Sequence, residues 1–267
     1  EIYRVGDEWG RRVPSPERIL ALPIEEQTWL KRIGTVRRGT VFILGQAQGS
    51  WWALSNFHVF PQAEYCTGSQ IVEFPLLQIT ARCVERFSHW ATHDLALLRI
   101  SFAPGQEPIA LPLLQIPAAP LVTRGDWLAT AGFGVAGHAG EIPFTLSRDD
   151  DCRAFSSTAS DRPMGTYDVY SFAHACDVSS GDSGSPVWER DTGRWMGVVW
   201  GGFAPKDDLV QKSMELLRWL SLKEEEPKAW ETLNFGVSLN AVRITWAAQA
   251  QDPNTPEELG RVLQELL

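Results

Sequence analysis

The chain has 267 residues, of which 44% are hydrophobic and 21% are charged, and its formal net charge is −9. A chain of this length and composition buries a sizeable core, which excludes disorder for most of it. The acidic balance argues against nucleic acid and anionic membranes as main partners, because binding to phosphates needs clustered Lys and Arg.

Residues 1–32 carry helix-start signals. Ser15-Pro16-Glu17 is typical of an N-cap followed by proline at the first helical position, and a second short helix is predicted from Pro23 through Leu30. We predict a helical N-terminal extension, which could dock a protein partner.

Residues 33–118 contain short runs of β-branched and aromatic residues separated by glycine and proline, a pattern typical of an all-β barrel or sandwich. The predicted strands are Thr40–Leu44, Trp51–Ser55, Ile71–Phe74, Ile79–Val84 and Leu95–Ile100. Prolines at 104, 108, 112, 117 and 120 then exclude a helix or a central strand, because each lacks an N–H and fixes φ. Pro112, Pro117 and Pro120 interrupt the longest apolar stretch, 109–122, so no membrane-spanning helix is predicted.

Residues 119–250 repeat the pattern and predict a second β-domain. Its predicted strands are Trp127–Gly132, Tyr167–Ala173, Ser185–Trp188, Trp195–Trp200 and Phe235–Ser238. Apolar residues at helical spacing predict a helical insertion at 206–232, which could be a lid, a docking site for a protein partner or a packed helix. The acidic run Asp149–Asp151 is expected in a loop. Helices are predicted over Leu239–Gln249 and within 251–267, the latter with Thr255 as N-cap and Pro256 first.

The four cysteines are Cys66, Cys83, Cys152 and Cys176, with no C-x-x-C pair. We favour Cys66–Cys83 and Cys152–Cys176, because each pairing closes a short loop between predicted strands. Disulfides would indicate a secreted or periplasmic protein, whereas four free thiols would indicate an intracellular one.

The strongest chemical signal is Ser180-Gly181-Asp182-Ser183-Gly184-Ser185-Pro186. Glycines around Ser183 allow a tight turn that presents the hydroxyl outward, while the N–H groups of Gly181 and Ser183 converge as an oxyanion hole. A serine nucleophile needs a histidine base and a carboxylate that orients the base. His58 follows one predicted strand and Asp94 precedes another.

The order His58, Asp94, Ser183, with the motifs Ser55-Asn56-Phe57-His58-Val59 and His93-Asp94-Leu95-Ala96-Leu97, resembles the trypsin-like (chymotrypsin-fold) serine peptidases. Subtilisins and α/β-hydrolases have other orders. Gly181–Val187, Met196–Gly202 and Asn234–Val237 look like the bacterial V8-like branch. The resemblance implies two six-stranded antiparallel β-barrels and a serine endopeptidase that acts on polypeptides with no metal or organic cofactor.

The resemblance also suggests residues that select the substrate. Asp177, six residues before Ser183, matches the base of the S1 pocket, where an aspartate favours Arg or Lys, but it could instead cap a turn. Val199 matches the wall position that is His in Glu-selective V8-like enzymes. Trp200, Gly201 and Gly202 match the edge that pairs with the substrate backbone, and the alternative for the glycines is a β-bulge.

Other interpretations of these residues are also compatible with the sequence. Ser183 could lie in an ordinary turn, His58 in the core, and His89, His93 and Asp94 could bind a metal. The whole chain could be a non-catalytic relative that binds peptides or a partner protein, or an intracellular signalling protease with docking extensions. The intact His, Asp and Ser set favours the enzyme.

Overall fold

The computed structural model describes residues 2–3, 16–37, 39–109, 111–118, 122–134, 146–155, 160–164, 167–202 and 234–267. The predicted insertion 206–232 lies outside the described residues. The strands of the described part are β1 Ile2–Tyr3, β2 Ile33–Val36, β3 Gly39–Ala47, β4 Ser50–Asn56, β5 Gln70–Phe74, β6 Ile79–Trp90, β7 Leu95–Phe102, β8 Trp127–Gly132, β9 Ser147–Arg153, β10 Ser160–Met164, β11 Tyr167–His174, β12 Val178–Ser179, β13 Pro186–Glu189, β14 Trp195–Gly202 and β15 Asn234–Ser238. The helices are α1 Pro16–Leu20, α2 Ile24–Arg32, α3 Leu239–Gln251 and α4 Glu257–Leu266.

The first β-domain is a closed six-stranded antiparallel barrel in the order β2-β3-β4-β7-β6-β5. Strand β3 is buried on both faces. Successive side chains along a strand point in opposite directions, so alternate residues of β3 enter different cores. Val41 and Ile43 enter the core of this barrel, whereas Phe42 and Leu44 belong to a second core that includes the other barrel. The two barrels are therefore joined by a continuous hydrophobic contact.

The second β-domain is a seven-stranded antiparallel sheet in the order β10-β11-β15-β14-β13-β8-β9. An isolated bridge between Ala154 and His174 connects the end of β9 to β11, so six strands form a ring and β10 is an additional strand paired with β11. The predicted pair of β-barrels is confirmed, with this seventh strand added.

Strand β9 was not predicted, and the expectation that Asp149–Asp151 lies in a loop is wrong. The run belongs to β9, which pairs with β8. Asp149 is buried despite its charge, because its carboxylate accepts a main-chain N–H within the barrel. The predicted start of α4 is also shifted: the helix begins at Glu257, and Pro256, with ψ 135°, is its extended N-cap residue in place of Thr255.

The N-terminal helices form as predicted, and α2 packs into the groove between the barrels. Trp29 stacks on Trp188 of β13 with ring centroids 5.4 Å apart and contacts Phe42 of β3 edge-on. Its indole N–H donates to the Gly193 carbonyl at 2.7 Å. Glu26 forms a buried ion pair with Arg148 of β9. Helix α2 is therefore part of the structural core.

Both favoured disulfides, Cys66–Cys83 and Cys152–Cys176, are formed. Disulfides of this kind are typical of proteins in oxidising compartments outside the cytosol. Among the described residues, no helix combines the length and the apolar character needed to cross a bilayer.

Candidate active site

His58 and Asp94 form a hydrogen-bonded pair. His58 lies in a 3₁₀ turn directly after β4, and its Nδ1–H donates to Asp94 Oδ2 at 2.6 Å. The other oxygen of Asp94 accepts the main-chain N–H of His58 at 2.9 Å. Asp94 is fully buried, while about a third of the His58 side chain is exposed. The carboxylate thus fixes both the ring and its tautomer, leaving Nε2 as the acceptor.

The turn before β7 places Asp94 for this contact. Asp94 has φ 46° and ψ 41°, a left-handed conformation that Asp adopts more readily than most residues. Its carbonyl accepts hydrogen bonds from Asn56 Nδ2 and from the Phe57 N–H, both at 2.9 Å. Sequence reasoning quoted Asn56 but gave it no role. Its position two residues before His58 on an apolar strand was the available signal.

The Ser183 loop lies between the two barrels. Ser183 O accepts the N–H of Thr40 in β3 at 2.8 Å, and the Gly184 N–H donates to Val199 O in β14 at 2.9 Å. The hydroxyl of Thr40 donates to Gly181 O at 2.8 Å and accepts the Phe133 N–H at 3.1 Å. Thr40, which sequence reasoning missed, therefore supports the loop from the first barrel.

Glycine is required on both sides of Ser183. Gly181 has φ 107° and Gly184 has φ 93°, values that side chains rarely permit. A Cβ at Gly184 would lie 2.0 Å from Thr40 O, and a Cβ at Gly181 would lie 2.5 Å from Phe133 O. The predicted tight turn is thus present.

Asp182 stabilises the Ser183 loop through its carboxylate. Its buried carboxylate accepts the N–H of Gly134 at 2.9 Å and the N–H of Ser179 at 2.8 Å, and the Ser179 hydroxyl lies 3.2 Å away. Hydrogen bonds of this kind to an ionised acceptor are among the stronger ones in proteins. They fix the backbone immediately before Ser183.

His58, Gly181 and Ser183 line one open cavity of about 640 Å³, together with Arg37, Val59 and Ser180. Among the described residues, the N–H groups of Gly181 and Ser183 donate no hydrogen bond, which leaves them available to an oxyanion. No hydrogen bond joins the two described side chains Ser183 and His58. Such contacts often form only when substrate is bound.

The other described histidines have structural partners. His93 is buried beside Asp94, and its Nε2 lies 2.7 Å from Thr245 Oγ1 in α3. Burial lowers the pKa of His93. His89 is largely exposed and its ring stacks on Phe57; partial desolvation, followed by the nearby charge of Arg86, lowers its pKa. The three side chains of the alternative metal site therefore make separate contacts: Asp94 binds His58, His93 contacts Thr245, and His89 stacks on Phe57.

His174 at the end of β11 is fully buried, and its Nδ1 accepts the Cys176 N–H at 3.2 Å. Burial lowers the pKa of His174 to about 3, against a smaller opposite effect of the Phe235 backbone. This accepted hydrogen bond requires the neutral ring, so His174 is a structural group at neutral pH.

The residues that the sequence predicts to select the substrate are not among the described residues that line this cavity. Asp177 is buried, and its N–H donates to Asp149 Oδ2 at 2.8 Å. The Asp149 carboxylate also lies within 4.8 Å of the sulfurs of the Cys152–Cys176 disulfide. Val199 is buried, and its N–H donates to Ser185 O at 2.8 Å.

Trp200, Gly201 and Gly202 end strand β14. The register with β15 shifts between Val199 and Gly201, so Trp200 is the additional residue of a bulge, and Gly201 and Gly202 pair with β15. The Trp200 indole is buried and donates to Ser171 Oγ at 2.7 Å. Among the described residues, a Cβ at Gly201 would meet nothing within 4 Å, whereas a Cβ at Gly202 would lie 2.2 Å from Asn234 Oδ1.

The chain matches the family model described as a trypsin-like peptidase domain over residues 39–198. No curated protein matches it. Among solved structures it is similar to the inactive form of a mutant of Rv3671c from M. tuberculosis, with 19% identity, a TM-score of 0.52, and coverage of 91% of this chain and 98% of that chain. The active form of the Rv3671c protease gives 18% identity, a TM-score of 0.52, and coverage of 86% and 85%. At these identities the likeness concerns the fold.

Proposed function

The chain belongs to the trypsin-like peptidase family, and on this premise we propose that it is a serine endopeptidase with His58, Asp94 and Ser183 as its catalytic triad. The observation that carries the proposal is the cavity in which His58, Ser183 and two unused main-chain N–H groups meet, with Asp94 hydrogen-bonded behind His58. This grouping supports the proposal, because the chemistry needs a nucleophile, a base, a group that orients the base and donors for an oxyanion.

In this mechanism Ser183 Oγ attacks the scissile carbonyl carbon while His58 Nε2 accepts the hydroxyl proton. Asp94 stabilises the resulting imidazolium through the 2.6 Å contact. The carbonyl oxygen becomes negatively charged and accepts hydrogen bonds from the N–H groups of Gly181 and Ser183. His58 then donates the proton to the leaving amine, and water hydrolyses the acyl-enzyme by the same steps.

For substrate selection we propose that Asp177 favours Arg or Lys at P1, with Val199 on the pocket wall. Asp149 supports this assignment, because its carboxylate holds the Asp177 main chain and adds negative charge nearby. The open side of Trp200–Gly202 would pair with the substrate backbone. The space that the described residues leave at Gly201 is compatible with a close strand there.

Labelling with a fluorophosphonate tests the catalytic assignment. We expect a covalent adduct on Ser183, located by mass spectrometry, and none in Ser183→Ala, whose kcat should fall about 10⁶-fold. Ser101→Ala, at an exposed position of β7, is the matched control and should label normally. Absence of an adduct in the unmodified protein would favour a non-catalytic peptide-binding relative.

A panel of anilide peptides with Arg, Lys, Glu or Ala at P1 tests the pocket. We expect Arg and Lys substrates to be cleaved fastest, and Asp177→Asn to reduce that preference. An equal reduction for all four residues would instead indicate that Asp177 only supports the loop.

We also propose that the protein is secreted or periplasmic and that it resembles the bacterial V8-like branch. The two disulfides support export. Thiol titration of the denatured, unreduced protein should find no free thiol, and four free thiols would favour an intracellular protease. For the domain boundaries, we propose that residues 33–118 form the first barrel and that residues 119–250 form the second.

A further inference from the structure

The cavity that contains His58 and Ser183 also has an arginine in its wall. Arg37 lies at the tip of the turn that joins β2 to β3, and its φ of 52° is uncommon for a residue other than glycine. The next residue in the sequence, Arg38, lies outside the described residues. None of the roles in the proposed mechanism uses Arg37.

Two contacts hold the Arg37 guanidinium in place. Its Cζ lies 3.7 Å from the centre of the Tyr65 ring, a stacked cation–π arrangement. Its Nε donates to Gln70 Oε1 at 2.8 Å. Tyr65 precedes Cys66, and Cys66 is linked to Cys83, so the stacking platform is attached to the barrel covalently. These contacts restrict the exposed Arg37 side chain in the absence of a ligand.

The two terminal NH₂ groups of Arg37 remain available. Within the part of the chain that the structure describes, they donate no hydrogen bond and form no ion pair. A planar guanidinium with two parallel N–H donors matches the two oxygens of a carboxylate. Because the guanidinium is already restricted, binding costs less conformational entropy than it would for a mobile arginine.

The position of Arg37 defines which part of a substrate it can contact. The Ser183 loop lies between β3, through Thr40, and β14, through Val199. If the acyl half of the substrate pairs with β14 at Trp200–Gly202, the chain that continues past Ser183 runs toward the β2–β3 turn. Arg37 therefore faces the leaving-group half of the substrate.

We propose that Arg37 binds a carboxylate within the first three residues after the scissile bond and so selects acidic sequences on the leaving-group side. This inference rests on the proposed peptidase function. The carboxylate could belong to an Asp or Glu side chain or to the C-terminus of a short leaving peptide. Both sources have the same chemistry, and the experiment distinguishes them.

The test uses fluorogenic peptides that share one acyl half. One series has amidated C-termini and carries Asp or Asn at the first, second or third position after the scissile bond. The other has Asn throughout and ends in a free or an amidated carboxyl group after one, two or three residues. The measured quantity is the ratio of kcat/KM between the charged and the neutral peptide of each pair.

We expect a ratio of about five for the unmodified protein at one position of one series, falling as salt is added. The series in which it occurs identifies the carboxylate source. The ratio should fall to about one in Arg37→Gln and below one in Arg37→Glu, because the introduced carboxylate repels the charged peptide. Arg82→Gln, an exposed change on β6 of the same barrel, should keep the ratio of the unmodified protein.

An incorrect role for Arg37 and an incorrect peptidase function would give different results. If the unmodified protein cleaves an anilide peptide, which has no leaving-side residues, but shows ratios near one in both series, the role of Arg37 is wrong and the peptidase function stands. The same conclusion follows if Arg37→Gln keeps the preference. If neither anilide cleavage nor fluorophosphonate labelling occurs, the proposed function itself fails.

Discussion

Asp94 contacts His58 with both carboxylate oxygens, one on the ring Nδ1–H at 2.6 Å and the other on the main-chain N–H at 2.9 Å. The first contact sets the tautomer of the ring, and the second sets the backbone from which the ring projects. Both contacts lie within the first barrel, whereas Ser183 belongs to the loop before β13 of the second barrel.

Replacing Asp94 with Asn should keep the fold and lower kcat by about 10⁴-fold. The amide has the same shape, but its NH₂ group favours the ring tautomer whose Nε2 carries the proton and cannot act as a base. Steady-state kinetics with a peptide substrate measures the loss, and thermal unfolding verifies the fold. Asp191→Asn, at an exposed position, is the control. A loss below about tenfold would contradict the triad.

His174 should make stability depend on pH. Its pKa is about 3 in the folded protein and about 6.5 when unfolded, so between these values the unfolded state binds more protons. The free energy of unfolding should therefore fall as pH decreases through this window, by up to about 1.4 kcal/mol per pH unit. Urea unfolding at several pH values from 6.5 to 4.5 measures the slope.

The variant His174→Asn isolates this contribution, because Asn keeps an acceptor for the Cys176 N–H and does not titrate. We expect a shallower slope in the variant, even if it is less stable at every pH. His89→Gln, at an exposed position, should change the slope much less. Equal slopes for the unmodified protein and His174→Asn would show that His174 does not carry the effect.

Helix α2 should be required for stability. Trp29→Ala should lower the free energy of unfolding by about 3–5 kcal/mol, because it removes a buried ring from between the barrels. Trp29→Phe should cost less, since it loses the hydrogen bond to Gly193 but keeps aromatic packing. Chemical denaturation provides the values, with Ile24→Ala on the exposed side of the same helix as control. Equal losses of stability in Ile24→Ala and Trp29→Ala would refute the role of α2 as part of the core.

Alanine substitutions of Gly201 and Gly202, at the end of β14, should have different effects on stability. Gly202→Ala should destabilise the protein by about 1–3 kcal/mol, because its methyl group would overlap Asn234 Oδ1. Gly201→Ala should change stability by less than about 0.5 kcal/mol, since no described residue would lie within 4 Å of its Cβ. Its effect should instead be on KM for peptides that extend along this edge. Denaturation and kinetics on both variants separate the two roles.

A double-mutant cycle checks the reason for the Gly202 effect. If the overlap with Asn234 is the cause, Gly202→Ala should cost less in an Asn234→Ala background. Additive losses would place the cause elsewhere in the β14–β15 pair.

The sequence by itself predicted two β-domains, both disulfides and the motifs that contain His58, Asp94 and Ser183, and the resemblance of those motifs to trypsin-like peptidases implied the pair of barrels. These features depend on local signals: alternating apolar residues, proline and glycine positions, and short motifs. Strand β9 was missed because its residues 148–151 are all charged, and only the surrounding barrel makes such a segment a strand. The N-cap of α4 was misplaced by one residue, since Pro256 is extended.

Only the tertiary structure decided which residues surround the site. The contacts of Thr40 with the Ser183 loop, Asp149 with Asp177, and Tyr65 with Arg37 join residues that are far apart in the chain. Hydrogen bonds and ring stacking depend on distances of a few ångströms, which are set when the two barrels and α2 pack together. No spacing along the sequence encodes such distances, so these roles became visible only in the folded protein.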